Sequence, residues 1–341
     1  MSSASNRPGI AVVGAGGWGK NHVRSLAGLG VLRRVCDRDP KARASAALPG
    51  VAVSGELDDV LRDPEVHGVV IATDAPSHAE LAHAVLAAGK DLLVEKPLAL
   101  TTDDARALCE HADHQGRVLM VGHLLLFHPV VQRLKAMIQA GELGEVLYLV
   151  CRRLNLGVVR RDENAWWSLA PHDLSIASYL LDDSPEAVSA RGGVFLQKER
   201  QIEDVVFGTV RFGGGRLAHV HVSWLDPHKV RMLTVVGDKK MAVFDDGSPD
   251  EKLRIYDKGV EPPAVVGYEE GVRVRTGDVV VPAVRMAEPL RLEHEAFLKA
   301  IETREVPIAD GWSGLAVVQA LEAGARSLAA GGAEVKVEPG A

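Results

Sequence analysis

Aromatic residues are scarce in this 341-residue chain, at 4% of the total, and there are only three cysteines. Cys36, Cys109 and Cys151 are odd in number and far apart, with no metal-type spacing, so no metal site and no disulfide framework is expected. Thiols buried as small hydrophobes, in a reducing cytoplasm, fit that usage. No apolar run reaches the roughly 18 residues that a membrane span needs. The first ten residues are small and polar, without the charged-then-apolar layout of a secretion signal. Surplus positive charge is missing too. The net charge of −7 argues against a general nucleic-acid or membrane binder, because polyanions attract basic surfaces. It leaves room for a local basic patch around one phosphorylated ligand.

Ala, Val and Leu make up much of what is present. Apolar residues reach 47% and charged residues 25%, the balance of a soluble globular enzyme. The length suffices for two domains, each with its own core.

From Gly9 to about Gly122, short apolar runs alternate with helical patterns. Strands are expected over residues 10–13, 31–37, 67–73, 91–95 and 117–121, and helices over 18–29, 41–48, 77–88 and 102–115. Runs made almost wholly of Val, Ile and Leu are buried on both faces, as in a parallel sheet covered by helices. The alternation implies an α/β, doubly wound Rossmann domain. After Phe127 the texture changes. A helix is expected over 129–140, closed by Gly141 and Gly144, and another from His172 to about 181. Strands follow over 187–195, 205–212, 217–224, 231–236 and 240–244, with Gly213-Gly214-Gly215 as a hairpin signal. An irregular, proline-containing stretch covers 257–287, and helices finish the chain over 290–303 and 314–330. The expected division is a dinucleotide-binding domain over 1–125 and an α+β domain over 126–341. The second is built on a large, mainly antiparallel, open sheet for substrate binding and oligomerisation. Its C-terminal helices could pack back on the first domain. A sheet with one face left open points to a homodimer or homotetramer.

The first strand runs into Gly14-Ala15-Gly16-Gly17-Trp18-Gly19, a G-x-G-x-x-G that opens a helix. Gly14 permits the tight turn, Gly16 lets backbone approach a pyrophosphate, and Gly19 lets the helix pack close to the strand. The helix N-terminus adds free N–H groups and a partial positive charge for the same phosphates. Asp37 ends the second strand, where a carboxylate would grip the adenosine ribose hydroxyls. Such a carboxylate repels a 2′-phosphate and favours NAD. Arg38 could hold that phosphate or stack on adenine, so NADP stays open. The plain alternative is a glycine-rich turn with Asp37 as a strand-end cap.

A further set of residues carries a resemblance. Residues 71–73 read Ile-Ala-Thr, Pro76-Ser77-His78 follows, and the fifth strand ends in Glu95-Lys96-Pro97. Together with the glycine loop, these resemble the Gfo/Idh/MocA oxidoreductase family over essentially the whole chain. Glu293-His294-Glu295-Ala296-Phe297 and the stretch from Pro307 to Gly314 are similar as well. The resemblance implies hydride transfer between NAD(P) and a secondary hydroxyl or ketone of a sugar, inositol or nucleotide-activated sugar. Thr73, Pro76, His78, Glu95, Lys96 and Pro97 would then lie about the cofactor, with a cis bond frequent before Pro97. Thr73, Lys96 and Gly122 fall at carboxyl ends of strands, where open α/β sheets bind ligands. A lysine there can donate to the substrate oxygen and stabilise alkoxide character.

The second catalytic candidate implied by the family is His172, in Ala170-Pro171-His172-Asp173-Leu174. Imidazole suits acid–base work near neutral pH. Inositol-dehydrogenase-like members have an aspartate four residues earlier, where Ser168 stands here, so a Lys–Asp–His triad does not carry over intact. Which group orients the histidine is open between Asp173, Glu163 and Asn164. The region from Arg152, Arg153 and Asn155 through Arg160, Arg161, Asn164 and Trp167 resembles the nucleotide-sugar branch, which includes UDP-N-acetylglucosamine 3-dehydrogenases. So do Gly122-His123 and His128-Pro129. Arg160 and Arg161 could neutralise a diphosphate, and a tryptophan could stack on a sugar face. The alternative is an exposed basic loop with tryptophans in the core. His219 and His221 share a strand face, but no third ligand is evident, so no metal is expected. The competing functions are a free-sugar or inositol dehydrogenase and, from another class, a non-catalytic redox or ligand sensor.

Overall fold

The computed structural model describes residues 7–261 and 273–338. Its chain divides into two compact units, one running to His128 and including Ala287–Val318, the other Pro129–Met286 with the chain from Gln319 on.

The first unit begins β1 (Ile10–Val13), α1 (Gly19–Gly28), β2 (Leu32–Cys36), α2 (Pro40–Ala46), β3 (Ala52–Ser54) and α3 (Leu57–Leu61). It continues through β4 (Gly68–Ile71), α4 (His78–Ala87), β5 (Asp91–Glu95), α5 (Thr102–Gln115) and β6 (Leu119–Gly122). All six strands pair in parallel in the order β3-β2-β1-β4-β5-β6. Chain order reverses beside β1, which opens the crevice where such sheets take ligands. The residues of β1, β4 and β5 are all buried, as strands covered on both faces must be. Local signals set the helix ends. Asp39 caps α2 by accepting from Lys41 N, with Pro40 in the first turn. Thr101 caps α5, and Gly116 closes it in the left-handed conformation. The sequence pattern misses β3 and α3, because an exposed three-residue edge strand and a five-residue helix are too short to show a period.

The second unit contains α6 (Pro129–Gln139), β7 (Val146–Leu154), α7 (Ala165–Leu181), β8 (Ala187–Gly193), β9 (Val205–Arg211) and β10 (Leu217–Ser223). Then come β11 (Val230–Gly237), β12 (Met241–Asp245), β13 (Leu253–Glu261) and β14 (Arg273–Val280). Two helices follow: α8 (Pro289–Thr303) belongs to the first unit, and the unit boundary falls within α9 (Gly311–Ala329). The short β15 (Val335–Lys336) ends the series. The nine strands order as β14-β13-β12-β11-β7-β10-β9-β8-β15, antiparallel except for the parallel pair β7–β10.

Two expectations change here, and one strand was not expected: Arg152 and Arg153 lie on β7, a central strand of the second sheet. The stretch expected to be irregular holds the end of β13 and all of β14, and residues 262–272 within it lie outside those described. The helix expected from His172 starts two turns earlier, at Ala165. Asn164 caps it by accepting from Trp167 N, and Pro171 sits inside. A proline usually signals a helix start because it lacks an N–H. Here Ala165, Trp166, Ser168 and Ala170 before it are buried, and that packing outweighs the missing bond.

Candidate active site

The glycine loop is shaped by steric necessity. Gly14 has φ +91°, and a Cβ there would lie 2.7 Å from the Ala72 carbonyl oxygen. A Cβ on Gly19 would stand 2.0 Å from the Gly14 oxygen, so α1 reaches β1 only with glycine at that position. Gly16 and Gly17 differ: a Cβ on either meets nothing within 4 Å. Those two residues leave open space over the first turn of α1, which carries no acidic side chain. Open backbone at Gly16 and Gly17 beside a helix N-terminus forms a cradle for phosphate, and the residues fit a dinucleotide.

Asp37, just past β2, is held in place by backbone. Its Oδ2 accepts from Ala15 N at 2.6 Å and its Oδ1 from Asp39 N at 2.8 Å. A carboxylate has about four acceptor positions, so both oxygens keep capacity for ribose hydroxyls. Arg38 is exposed beside it, its carbonyl accepting from Arg43 Nη1.

After β4, Thr73 Oγ1 is 2.7 Å from Ser77 Oγ, across a 3₁₀ turn that contains Pro76. His78 is buried, with Nδ1 2.8 Å from the Pro97 oxygen and Nε2 3.1 Å from the Thr73 oxygen. Whichever nitrogen carries the hydrogen faces a backbone acceptor, so the ring ties the end of β4 to the turn after β5.

That turn carries Lys96, half-buried, joined to Pro97 by a cis bond. Glu95 precedes it and is nearly buried. Its Oε1 accepts from Trp18 Nε1 at 2.5 Å and lies 2.9 Å from His22 Nε2, while Oε2 accepts from Lys96 N at 3.1 Å. Burial opposes the charge, but the bond and positive field of His22 and the Trp18 bond hold the carboxyl below its ordinary 4.5. Gly122 leaves room for it, since a Cβ there would meet Glu95 Cδ at 2.9 Å. His123 follows, 1% exposed, its Nδ1 without a hydrogen-bond partner. Burial, aided by Lys96 and opposed by Glu95, lowers its pKa to about 4.

Sequence reasoning missed the groups beneath Glu95. His22 on α1 bonds His294 on α8 at 2.8 Å, and His294 bonds Ser25 at 2.9 Å. Glu293 is fully buried, with no partner for either carboxylate oxygen. The Glu293-His294 pair was visible in the sequence, but its partner His22, 272 positions away, was not.

In the second unit, His172 is half-buried on α7. Asp173 next to it takes a two-pronged bond from Arg153, at 3.1 Å from Nε and 2.9 Å from Nη2. Both side chains are nearly buried, the geometry that suits a planar guanidinium and carboxylate. Asn155 is half-buried, and its Oδ1 is buried without a partner. Asn164, besides capping α7, donates to Glu203 at 2.8 Å. Exposed Arg160 pairs with Glu163 at 3.0 Å, and the carbonyl of exposed Arg161 accepts from Arg200. Trp166 is fully buried, while Trp167 is half-exposed. Ser168, in place of the aspartate, is buried on the same helix. Among the described residues no group of three or more His, Cys, Asp or Glu could hold a metal ion, and no helix is long and apolar enough to cross a membrane.

Known proteins share both units. The chain is 33% identical over 185 residues to an inositol 2-dehydrogenase of Pseudomonas fluorescens (strain Pf-5), a match covering 51% of this chain and 54% of that enzyme. The chain thus spans about half the length of that curated relative. It is 28% identical over 310 residues to UDP-N-acetylglucosamine 3-dehydrogenase of Acidithiobacillus ferrooxidans, covering 91% of this chain and 93% of that one. Among solved structures, GenD2 from gentamicin A biosynthesis, in complex with NAD, superposes with a TM-score of 0.82 at 26% identity, covering 98% and 97% of the two chains. Residues 9–123 match the oxidoreductase family with an NAD-binding Rossmann fold, and residues 131–243 match that family's C-terminal domain. This chain belongs to the Gfo/Idh/MocA oxidoreductase family, and its first unit is that family's NAD-binding Rossmann domain.

Proposed function

We propose that the protein transfers a hydride between NAD and a secondary hydroxyl or ketone of a sugar, with a nucleotide-activated sugar, oxidised at its third carbon, as first choice. The observation that carries the reading is the join of the open glycine cradle to the Lys96 turn through Glu95. Bound NAD supplies the hydride acceptor. The Lys96 ammonium donates to the substrate oxygen and steadies its negative charge, and the His172 imidazole takes the hydroxyl proton. Asp173, locked by Arg153, fixes the start of the sequence around His172. The near full-length likeness to UDP-N-acetylglucosamine 3-dehydrogenase supports the sugar class, and a diphosphate would meet exposed Arg161 and, in competition with Glu163, Arg160. Self-association through the open face of the second sheet completes the proposal.

The test is an assay of purified protein with NAD and NADP against nucleotide sugars, free sugars and inositols. NAD should serve better than NADP, since Asp37 repels a 2′-phosphate. His172→Ala should lose about 10²–10⁴-fold in turnover, the usual cost of a positioned acid–base, while still binding NAD. Near-normal turnover in that variant would move the base elsewhere.

A second reading, a free-sugar or inositol dehydrogenase, is favoured by the likeness to the Pseudomonas inositol 2-dehydrogenase. Replacing both Arg160 and Arg161 with Ala separates the two. On the nucleotide-sugar reading KM for the nucleotide sugar rises and NAD binding is untouched; unchanged kinetics favour the free sugar.

A further inference from the structure

Glu95 is tied on one side to the cofactor loop and on the other to the Lys96 backbone, and a buried file of side chains stands behind it. An ionised carboxylate only accepts hydrogen bonds, so the 2.9 Å contact requires the hydrogen on His22 Nε2. His22 Nδ1 lies 2.8 Å from His294 Nε2, and His294 Nδ1 lies 2.9 Å from the Ser25 hydroxyl oxygen. The file runs from Ser25 through His294 and His22 to Glu95, and whichever way its outer bonds point, His22 Nε2 donates to the carboxylate. All three outer members are buried, so no water competes for their hydrogens.

We propose that Glu95 is a positioning residue whose carboxylate fixes the glycine-rich loop, through Trp18, to the turn that carries Lys96, and that the His22–His294–Ser25 file locks it in that accepting state. The proposal rests on the hydride-transfer reading only for what Lys96 does. The neighbouring groups suit it. Burial, then His22 and Arg24, holds His294 well below its ordinary 6.5 and so keeps that ring neutral. Burial and the charge of Glu95 hold Glu293 on α8 well above 4.5, so it stays an uncharged acid. The remaining titratable groups that face Glu95 are Lys96 and the uncharged ring of His123. The ionised carboxyl among these groups is the one that touches Trp18.

The experiment reads the indole N–H signal of Trp18 by nuclear magnetic resonance in ligand-free, tryptophan-labelled protein. Trp18→Phe assigns that signal among the five tryptophans. An indole N–H bonded to a carboxylate is strongly deshielded. His294→Leu removes the hydrogen-bond partner of His22 Nδ1 and frees that ring to turn away from Glu95. The Trp18 signal should then move upfield, and NAD binding should weaken about tenfold, the loss of one hydrogen bond to a charged group. His294→Gln can donate or accept at the same position and should hold the signal in place, with NAD affinity within about threefold of the unaltered protein. If His294→Leu does not fold, Ser25→Ala, which breaks the far end of the file, should move the signal the same way by less. A Trp18 signal that stays put in the folded variant tested, or moves equally in His294→Leu and His294→Gln, overturns the proposal. Because the signal is read without substrate, that failure is distinct from absence of sugar oxidation.

Discussion

His123 allows the energetics of a single buried ring to be worked out. An unfolded chain takes up the proton near pH 6.5, whereas burial delays it in the folded state to about 4. The folded state thus binds fewer protons between those values, and stability must fall as pH drops through the window. Complete passage corresponds to on the order of 3 kcal/mol at about 1.4 kcal/mol per pH unit. Glu293 works the other way, because its raised pKa favours the folded state at low pH. A comparison between variants cancels that contribution. The expected outcome is a melting temperature that declines from pH 7 to pH 4 more steeply in the unaltered protein than in His123→Asn. Parallel declines would assign the acid sensitivity to other groups.

At the scale of elements, α7 depends on one large side chain. Trp166 is fully buried, and its Nε1 donates to the Leu321 oxygen at 3.1 Å. Glycines make space for it on two sides: a Cβ on Gly208 would lie 2.8 Å from the ring, and one on Gly324 would lie 2.4 Å from Nε1. Removing such a side chain leaves a cavity and deletes the bond to Leu321, so Trp166→Ala should cost about 3–5 kcal/mol in urea unfolding of the second unit. Trp167→Ala, half-exposed one residue on, should cost a fraction of that. Equal losses would mean that the packing about Trp166 is slack. Neighbouring tryptophans look alike in a sequence. Which of the two is core is decided by glycines about 42 and 158 positions away, at Gly208 and Gly324.

For the whole molecule, the second sheet has two unlike faces. Leu149, Cys151, Val206, Val220 and Leu233 are buried on the face where α7 packs. On the other, Phe207, His221, Arg152 and Met232 align across β9, β10, β7 and β11 by the strand register. Tyr148 and Phe207 are 44% and 48% exposed, and His221 stacks on Phe207 at 4.3 Å. A broad face with this much apolar surface is the feature that makes self-association the proposed state. Sedimentation should therefore find a dimer or larger species, and a Tyr148→Glu, Phe207→Glu double variant should shift it toward monomer without loss of fold. A protein that already sediments as a monomer at micromolar concentration would refute the assembly.

The Rossmann unit was legible in the sequence because its determinants are local: apolar runs for buried strands, glycines at fixed spacing, a capping Thr101 and a closing Gly116. The same holds for Asp37 and Lys96, placed by the strand that each follows. The second unit was legible only in part. Strand β7 carries two arginines and reads as a polar segment until β10 and β11 flank it, and α7 hides its start behind Pro171. The partners of the candidate residues were not legible at all. Arg153 finds Asp173 from a different element, and Glu95 gathers Trp18 from the glycine loop and His22 from α1, with His294 and Glu293 behind them from α8. Hydrogen bonds between buried polar groups depend on distance in space and carry no period along the chain. For that reason the sequence by itself determined the cofactor cradle and the fold class, whereas only tertiary structure decided which charges are paired, which are neutral and which bonds hold them.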